Sequence, residues 1–236
     1  MRLDLVQFEA ADKSKHWAVH VPDAASRFQL AHIMKNKTSR KVIQFLNKTW
    51  IPIFGAPSTV VADFGPEFVS AEFEAWCQSH SIYLCHAAVE APWQNGIAER
   101  TGGLLKTIFH TVVKATSAVA KHDLQSALAE SLDAYNRDVD ETGFSPSQWV
   151  IGRQPRSQGD VLGGTFSSRL AEHGLMEHEE GFARRIAMRE VARVAMTKLH
   201  FSRGIRRAEL ARPRVLNTTI VTGDLVYFWR AEVQRG

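Results

Sequence analysis

Three carboxylates stand out for where they sit. Asp63 follows Ser58-Thr59-Val60-Val61-Ala62, a short β-branched run set off by Gly55 and Pro57 and stopped by Gly65-Pro66. That puts it at the carboxyl end of a strand, where open α/β sheets tend to hold their sites. Glu99 follows a turn-rich stretch, Pro92-Trp93-Gln94-Asn95-Gly96, and opens a long helical pattern, so it belongs to a first helical turn. Asp4 lies inside Arg2-Leu3-Asp4-Leu5-Val6-Gln7-Phe8, read as a strand. An acid among apolar strand residues is poorly suited to a β core and needs a partner; a metal ion is one. Singly, each acid has a plainer reading: a surface terminus for Asp4, a turn former for Asp63, and a helix-dipole partner for Glu99.

The elements that must position them are legible in order. Strands are expected over 2–8, 15–21 and 27–33, joined by short connections and so forming an antiparallel meander. Thr38 or Ser39 caps a helix reaching about Trp50, with Val42, Ile43, Phe45 and Leu46 on its apolar face. A fourth strand, 58–62, delivers Asp63. Ser70 caps the next helix, and Ile82 to Cys85 is a short fifth strand. A helix from 96 to about 119 carries Glu99, with Gly102 and Gly103 in its second turn. Each of these glycines costs about 1 kcal/mol relative to Ala, which suggests close backbone approach or a packing notch. A helix over about 123–137 and a capped short helix closed by Gly152 and Pro155 follow. Residues 156–177, with four glycines, read as a linker. A basic helix over about 179–200 and a second piece near 205–211 come next. The chain closes on a turn and a strand at Gly223–Arg230.

The hydrophobic fraction of 44% and charged fraction of 23% are those of an ordinary globular protein. No apolar run approaches the roughly 20 residues of a membrane span, and the acid at position 4 argues against a signal peptide. Cys77 and Cys85 are the only cysteines, which disfavours a disulfide scaffold and suits a reduced, intracellular setting. The net charge of +4 is uneven: residues 1–153 sum to −1 and the rest to +5. Between 184 and 214, ten Lys/Arg face only Glu190 and Glu209. A polyanion partner on that side, or a solvated helical face, would account for it.

Thirty-five residues separate Asp63 from Glu99. That spacing, the Asp63-Phe64-Gly65-Pro66-Glu67-Phe68 turn and the Asn95-Gly96-Ile97-Ala98-Glu99-Arg100 helix start resemble the DDE integrase catalytic core of retroviral and LTR-retrotransposon Pol polyproteins. Ser145-Pro146 through Gly152 and Pro155 resembles the stretch that closes such cores. The resemblance implies an α/β, RNase H-like fold: a five-stranded mixed sheet flanked by helices. It divides the chain into a catalytic core (1–155), a Gly-rich then basic helical linker (156–215) and the incomplete start of an SH3-like barrel (216–236). The expectation is of a fragment of a longer polyprotein, without the family's N-terminal zinc domain.

By the same resemblance, Asp4, Asp63 and Glu99 converge as the catalytic carboxylates and metal ligands. Three crowded carboxylates repel each other, and hard divalent cations relieve that repulsion. The implied cofactor is Mg²⁺ or Mn²⁺, as two ions about 3.5–4 Å apart, and the implied reactions are 3′-end processing and DNA strand transfer. Gln94, Asn95 and Lys106 fall at family DNA-contact positions; Arg184, Arg185, Arg189 and Arg193 are the basic-helix candidates for DNA. Element-end and target DNA, and further copies of the chain, are the implied partners, with the nucleus as location in a eukaryotic host. Phe64 replaces a usual amide, and Gly103 a frequent basic residue. Asp23 is a decoy for the first acid, and Glu67 belongs to the turn rather than the ligand set. Two alternatives stay open: an RNase H-like nuclease that only hydrolyses, and a decayed or domesticated DNA-binding remnant without catalysis.

Overall fold

The computed structural model describes residues 1–87, 92–139, 143–155 and 180–210, with the backbone alone for 92–95, 97, 180, 182 and 183. The expected linker over 156–177 and the barrel-like segment over 216–236 lie outside the described residues. Strands β1 (Asp4–Glu9), β2 (Lys15–Pro22) and β3 (Gln29–Met34) pair antiparallel, placing Asp4 opposite His20 and His20 opposite Ala31. After α1 (Ser39–Thr49) and the single turn α2 (Ile51–Phe54) comes β4 (Thr59–Ala62), which pairs in parallel with β5 (Tyr83–His86) across α3 (Ala71–Ser79).

The five strands do not form one continuous ladder as expected. They make a three-stranded piece, β1-β2-β3, and a two-stranded piece, β4-β5. A parallel bridge between Arg2 and Val61 joins the two. Around it the Leu3 amide donates to the Val61 carbonyl at 2.8 Å, and the Val61 amide donates to the Met1 carbonyl at 3.1 Å. Only the residues ahead of β1 reach the four-residue β4, so the contact between the pieces is short.

Strand alternation sorts the core into two layers. Phe8, Ala18 and Ile33 face α4 (Pro92–Thr116), α5 (Lys121–Asn136) and α7 (Glu180–Leu210), packing with Leu105, Phe109, Leu128 and Met188. Leu3, Val19, Val21 and Val60 face α1 and α3, packing with Leu46, Phe73 and Trp76. Phe8 and Phe109 meet with ring centroids 4.5 Å apart, so truncating either would cost about 3–5 kcal/mol. The short helix α6 (Pro146–Ile151) has the full capping box from Ser145 and Gln148, and ends at Gly152 with φ 75°.

Two expectations about helices are corrected. Pro92–Gly96, read as a loop, is the first turn of α4, because proline at the start of a helix forfeits only an amide that has no partner there. The two basic pieces are one helix, α7, running through Gly204, whose cost of about 1 kcal/mol does not stop it. The chain divides into compact units Met1–His200 and Phe201–Gly236. The first holds the sheet and both core layers.

Candidate active site

The bridge between the two ladders sets the first pair of acids. Arg2 pairs with Val61 in parallel register, so two residues on, Asp4 comes beside Asp63. Alternation agrees: Phe8 on β1 faces the α4 layer, so Val6 and Asp4 do too, while Val60 faces the other layer, leaving Val61 and then Asp63 on the α4 side.

Helix α4 brings the third acid. A Cβ on Gly102 would lie 3.4 Å from His20 Nδ1 and 3.5 Å from Val6 Cγ2, so α4 crosses β1 and β2 there. Glu99 is one turn earlier on the helix, about 4.5 Å back along its axis, just as Asp4 is two residues back from Val6 on the strand. The buried stripe Ala98, Thr101, Leu105, Ile108 and Val112 holds this face down, and Glu99 stays exposed beside it.

The electrostatics register the approach. The Asp4 carboxyl is pushed above the usual carboxylate range, first by burial, then by the Asp63 charge and, more weakly, by that of Glu99. Neighbouring groups fix Asp63. Its Oδ1 accepts from the Gly65 amide at 3.0 Å, and its carbonyl lies 3.1 Å from His86 Nδ1, whose ring stacks on exposed Phe64 with centroids 5.0 Å apart. Phe64 therefore stands where an amide was expected and supports the turn by stacking. Glu67 is buried within the same turn, its Oε2 without a hydrogen-bond partner among the described residues; a Cβ on Gly65 would come within 2.8 Å of Glu67 Oε1 and 3.0 Å of Asp63 Oδ1.

The acids are gathered but not closed into a cage. Among the described residues, no three His, Cys, Asp or Glu side chains form a group that could hold a metal ion. The donor chemistry of Asp4, Asp63 and Glu99 still suits a hard cation: all are carboxylates, and Asp4 already feels the charge of the other two. Asp23, the decoy, has its Oδ2 occupied by the Ser26 amide and hydroxyl, both at 2.8 Å. Cys77 is a buried thiol pushed up to about 11 by burial, and Cys85 is half-buried; both are free.

The remaining candidates separate. Gln94 and Asn95 lie in the first turn of α4, where only the backbone is described. Lys106 is exposed on α4, and its charge contributes, after burial, to lowering the His110 pKa. Arg184 and Arg189, expected on DNA, are engaged inside the protein. Arg184 pairs with Asp123 at 3.0 Å and donates to the Thr116 carbonyl at 3.2 Å. Arg189 grips Glu130 through two hydrogen bonds of 2.7 Å. Arg185 and Arg193 are exposed on the same helix. Sequence reasoning missed Asp123 and Glu130 as the partners of the basic helix. The signal was there in α5, whose acids Asp123 and Glu130 are seven residues apart, two turns along one face.

Comparison with known proteins bears on the fold and the family resemblance. Residues 1–92 match the integrase core domain family. The Gag-Pro-Pol polyprotein of Simian retrovirus SRV-1 is 25% identical over 158 residues, 66% of this chain and 9% of that protein. The chain spans about a tenth of the length of the curated relatives it matches first. Among solved structures, the HTLV-2 integrase catalytic core domain in complex with magnesium, in its trimeric form, superposes with a TM-score of 0.53 at 23% identity, covering 63% of this chain and 93% of that one. The simian T-cell lymphotropic virus intasome gives 0.56 at 23% identity, covering 66% and 57%. In its first 92 residues the chain matches the integrase core domain family, and its fold is similar to that of the integrase catalytic cores of retroviruses.

Proposed function

We propose that this chain is the catalytic part of a DNA integrase, a metal-dependent polynucleotidyl transferase that trims a DNA 3′ end and joins it to target DNA. The observation that supports the reading is geometric: the bridge between Arg2 and Val61 runs Asp4 toward Asp63, and Glu99 stands one turn before Gly102, where α4 meets Val6 and His20. Two Mg²⁺ or Mn²⁺ ions, held by Asp4, Asp63 and Glu99, would supply activation of the attacking oxygen and neutralisation of the leaving one. Asp4 is anchored by its strand, Asp63 by Gly65 and His86, and Glu99 by a helix whose neighbouring face is buried. Lys106, Arg185 and Arg193 are the exposed cations available to backbone phosphates, with Gln94 and Asn95 at the helix start nearest the DNA end. The trimeric HTLV-2 core and the intasome support self-association and a DNA partner for this chain as well. A nuclear site of action in a eukaryotic host follows from a chromosomal target. No helix among the described residues is long and apolar enough to cross a membrane.

A second reading, a DNA-binding remnant without chemistry, draws on one observation: the three acids do not form a metal-holding group. Disintegration of branched DNA in Mg²⁺, with Glu99→Gln beside the wild type, separates the two. Activity lost in the variant with folding intact supports the integrase. A wild type that melts higher in Mg²⁺ yet never cuts supports the remnant. Full activity in the variant would remove Glu99 from the site.

A further inference from the structure

At the β3 edge of the sheet, two strands from Asp4, a hollow of about 220 Å³ is ringed by Lys35, Lys41, Lys48 and Lys121, with His32 and Phe45 in its wall. No Asp or Glu lines it, and among the described residues none of the four ammonium groups is in an ion pair. Lys41, Phe45 and Lys48 share one face of α1 by their i, i+4, i+7 spacing. Lys41 also donates to Gln44 Oε1 at 3.1 Å, which fixes its head at the rim.

Two features set this cluster apart from a solvated lysine face. On a convex face lysines point apart into water, whereas here four of them ring one concave space whose lining holds no carboxylate. Lys121 is also badly placed for its own helix. It is the first residue of α5, at the positive end of the helix dipole, behind a cap residue, Ala120, with no capping side chain. The nearby acid that could offset it, Asp123, is taken by Arg184 at 3.0 Å. The field of Lys121 reaches across the hollow: with burial as the larger cause, it lowers the His32 pKa. The His32 ring is stacked on Phe45 with centroids 6.0 Å apart.

We infer that this hollow is a binding site for a compact polyphosphate, a free anion carrying two or three phosphates in a row. Four lysines match its charge, and lysine serves phosphate as a point charge without demanding planar geometry. The hollow is smaller than a typical drug-sized pocket and concave, so it suits a short free anion better than a duplex, whose phosphates track along a convex surface. The site is separate from the carboxylates and does not depend on their chemistry.

The test uses the full chain in EDTA buffer, titrated calorimetrically with sodium tripolyphosphate and, separately, with a short DNA duplex. Lys48→Ala/Lys121→Ala should weaken tripolyphosphate binding by about tenfold or more while changing duplex binding by less than about threefold. Lys37→Ala, whose ammonium lies over the Trp17 ring at 4.0 Å outside the hollow, should leave tripolyphosphate binding unchanged. All four side chains at the rim are exposed, so the variants should fold as the wild type does, which a thermal melt of each checks. Absence of tripolyphosphate binding to the wild type overturns the proposal, as does equal weakening by Lys37→Ala. Loss of duplex binding in the double variant with tripolyphosphate binding retained would make the lysines a DNA contact instead.

Discussion

Arg189 on α7 and Glu130 on α5 are joined by a two-pronged ion pair, both nitrogen–oxygen distances 2.7 Å, with the Glu130 side chain only 12% exposed. The contact raises the Arg189 pKa, chiefly through the hydrogen bond to Glu130. It makes the basic helix, up to His200, part of the same compact unit as the sheet.

Replacing Glu130 with alanine should therefore loosen α7. Removing Glu130 breaks both charge-assisted hydrogen bonds at once, with an expected loss of about 1–3 kcal/mol in urea unfolding. Arg189→Lys should recover only part of it, since an ammonium cannot match both oxygens. Unchanged stability in Glu130→Ala would show the pair to be energetically idle.

The same geometry divides the arginines by role. Arg185→Ala/Arg193→Ala should weaken duplex binding and lower the slope of log affinity against log salt by about 1–2. Arg184→Ala/Arg189→Ala should lower the melting temperature more than it changes that slope. Equal slopes in both double variants would reverse the assignment.

The raised Asp4 carboxyl has a definite consequence for pH. Its contribution to stability is fully present below the unfolded value of 3.8 and is lost as pH rises through the higher folded value. At neutral pH without metal, ionised Asp4 is thus a burden. Asp4→Asn should melt higher at pH 7, by about 2–4 °C for each kcal/mol of relieved strain, with the gain shrinking toward pH 3.5. A lower melting temperature for the variant at pH 7 would contradict the crowding of the acids.

His20 works in the opposite direction. Fully buried, with Nε2 2.6 Å from Gln29 Oε1, its pKa is depressed from 6.5 to about 4, mainly by burial. The stability it supports is present above the unfolded value and is lost as pH falls from 6.5 toward 4. Denaturant melts should show an acid limb in that window of roughly 2–3 kcal/mol, at about 1.4 kcal/mol per pH unit. His20→Gln should flatten that limb; an unaltered limb would place its origin elsewhere.

Glycines in the two motifs should behave differently. At Gly103 an added Cβ meets nothing within 4 Å, and at Gly102 only ordinary contacts, so neither is required by close approach. Gly103→Ala should stabilise α4 by up to about 1 kcal/mol. Gly65→Ala should instead push on the Asp63 and Glu67 carboxylates and cost DNA cleavage far more than stability. Wild-type activity in Gly65→Ala would show that these carboxylates can move without harm.

Much of this was readable in advance, where local chemistry decides. The β-branched runs gave the strands, Ser70 caps α3 by accepting from the Phe73 amide, and Ser145, Gln148 and Gly152 frame α6 as their types demand. The elements carrying Asp4, Asp63 and Glu99 were legible for the same reason. What escaped was tertiary. The Asn95-Gly96 pair reads as a turn until the rest of α4 holds it helical. Which arginines Asp123 and Glu130 take depends on where α7 lies, and the break in the sheet depends on how far the first three residues reach along β4.

The bridge between Arg2 and Val61 has a kinetic meaning as well. The two ladders can each form from nearby chain, but joining them closes a loop of about sixty residues, an entropic toll levied before any contact rewards it. The repulsion between Asp4 and Asp63 opposes that same closure. Completion of the sheet and assembly of the acidic pair are thus coupled: whatever opens the bridge also parts the two carboxylates. A divalent ion held there would act as a clasp on the seam, so that the fold's fastening and its readiness for chemistry are drawn shut together.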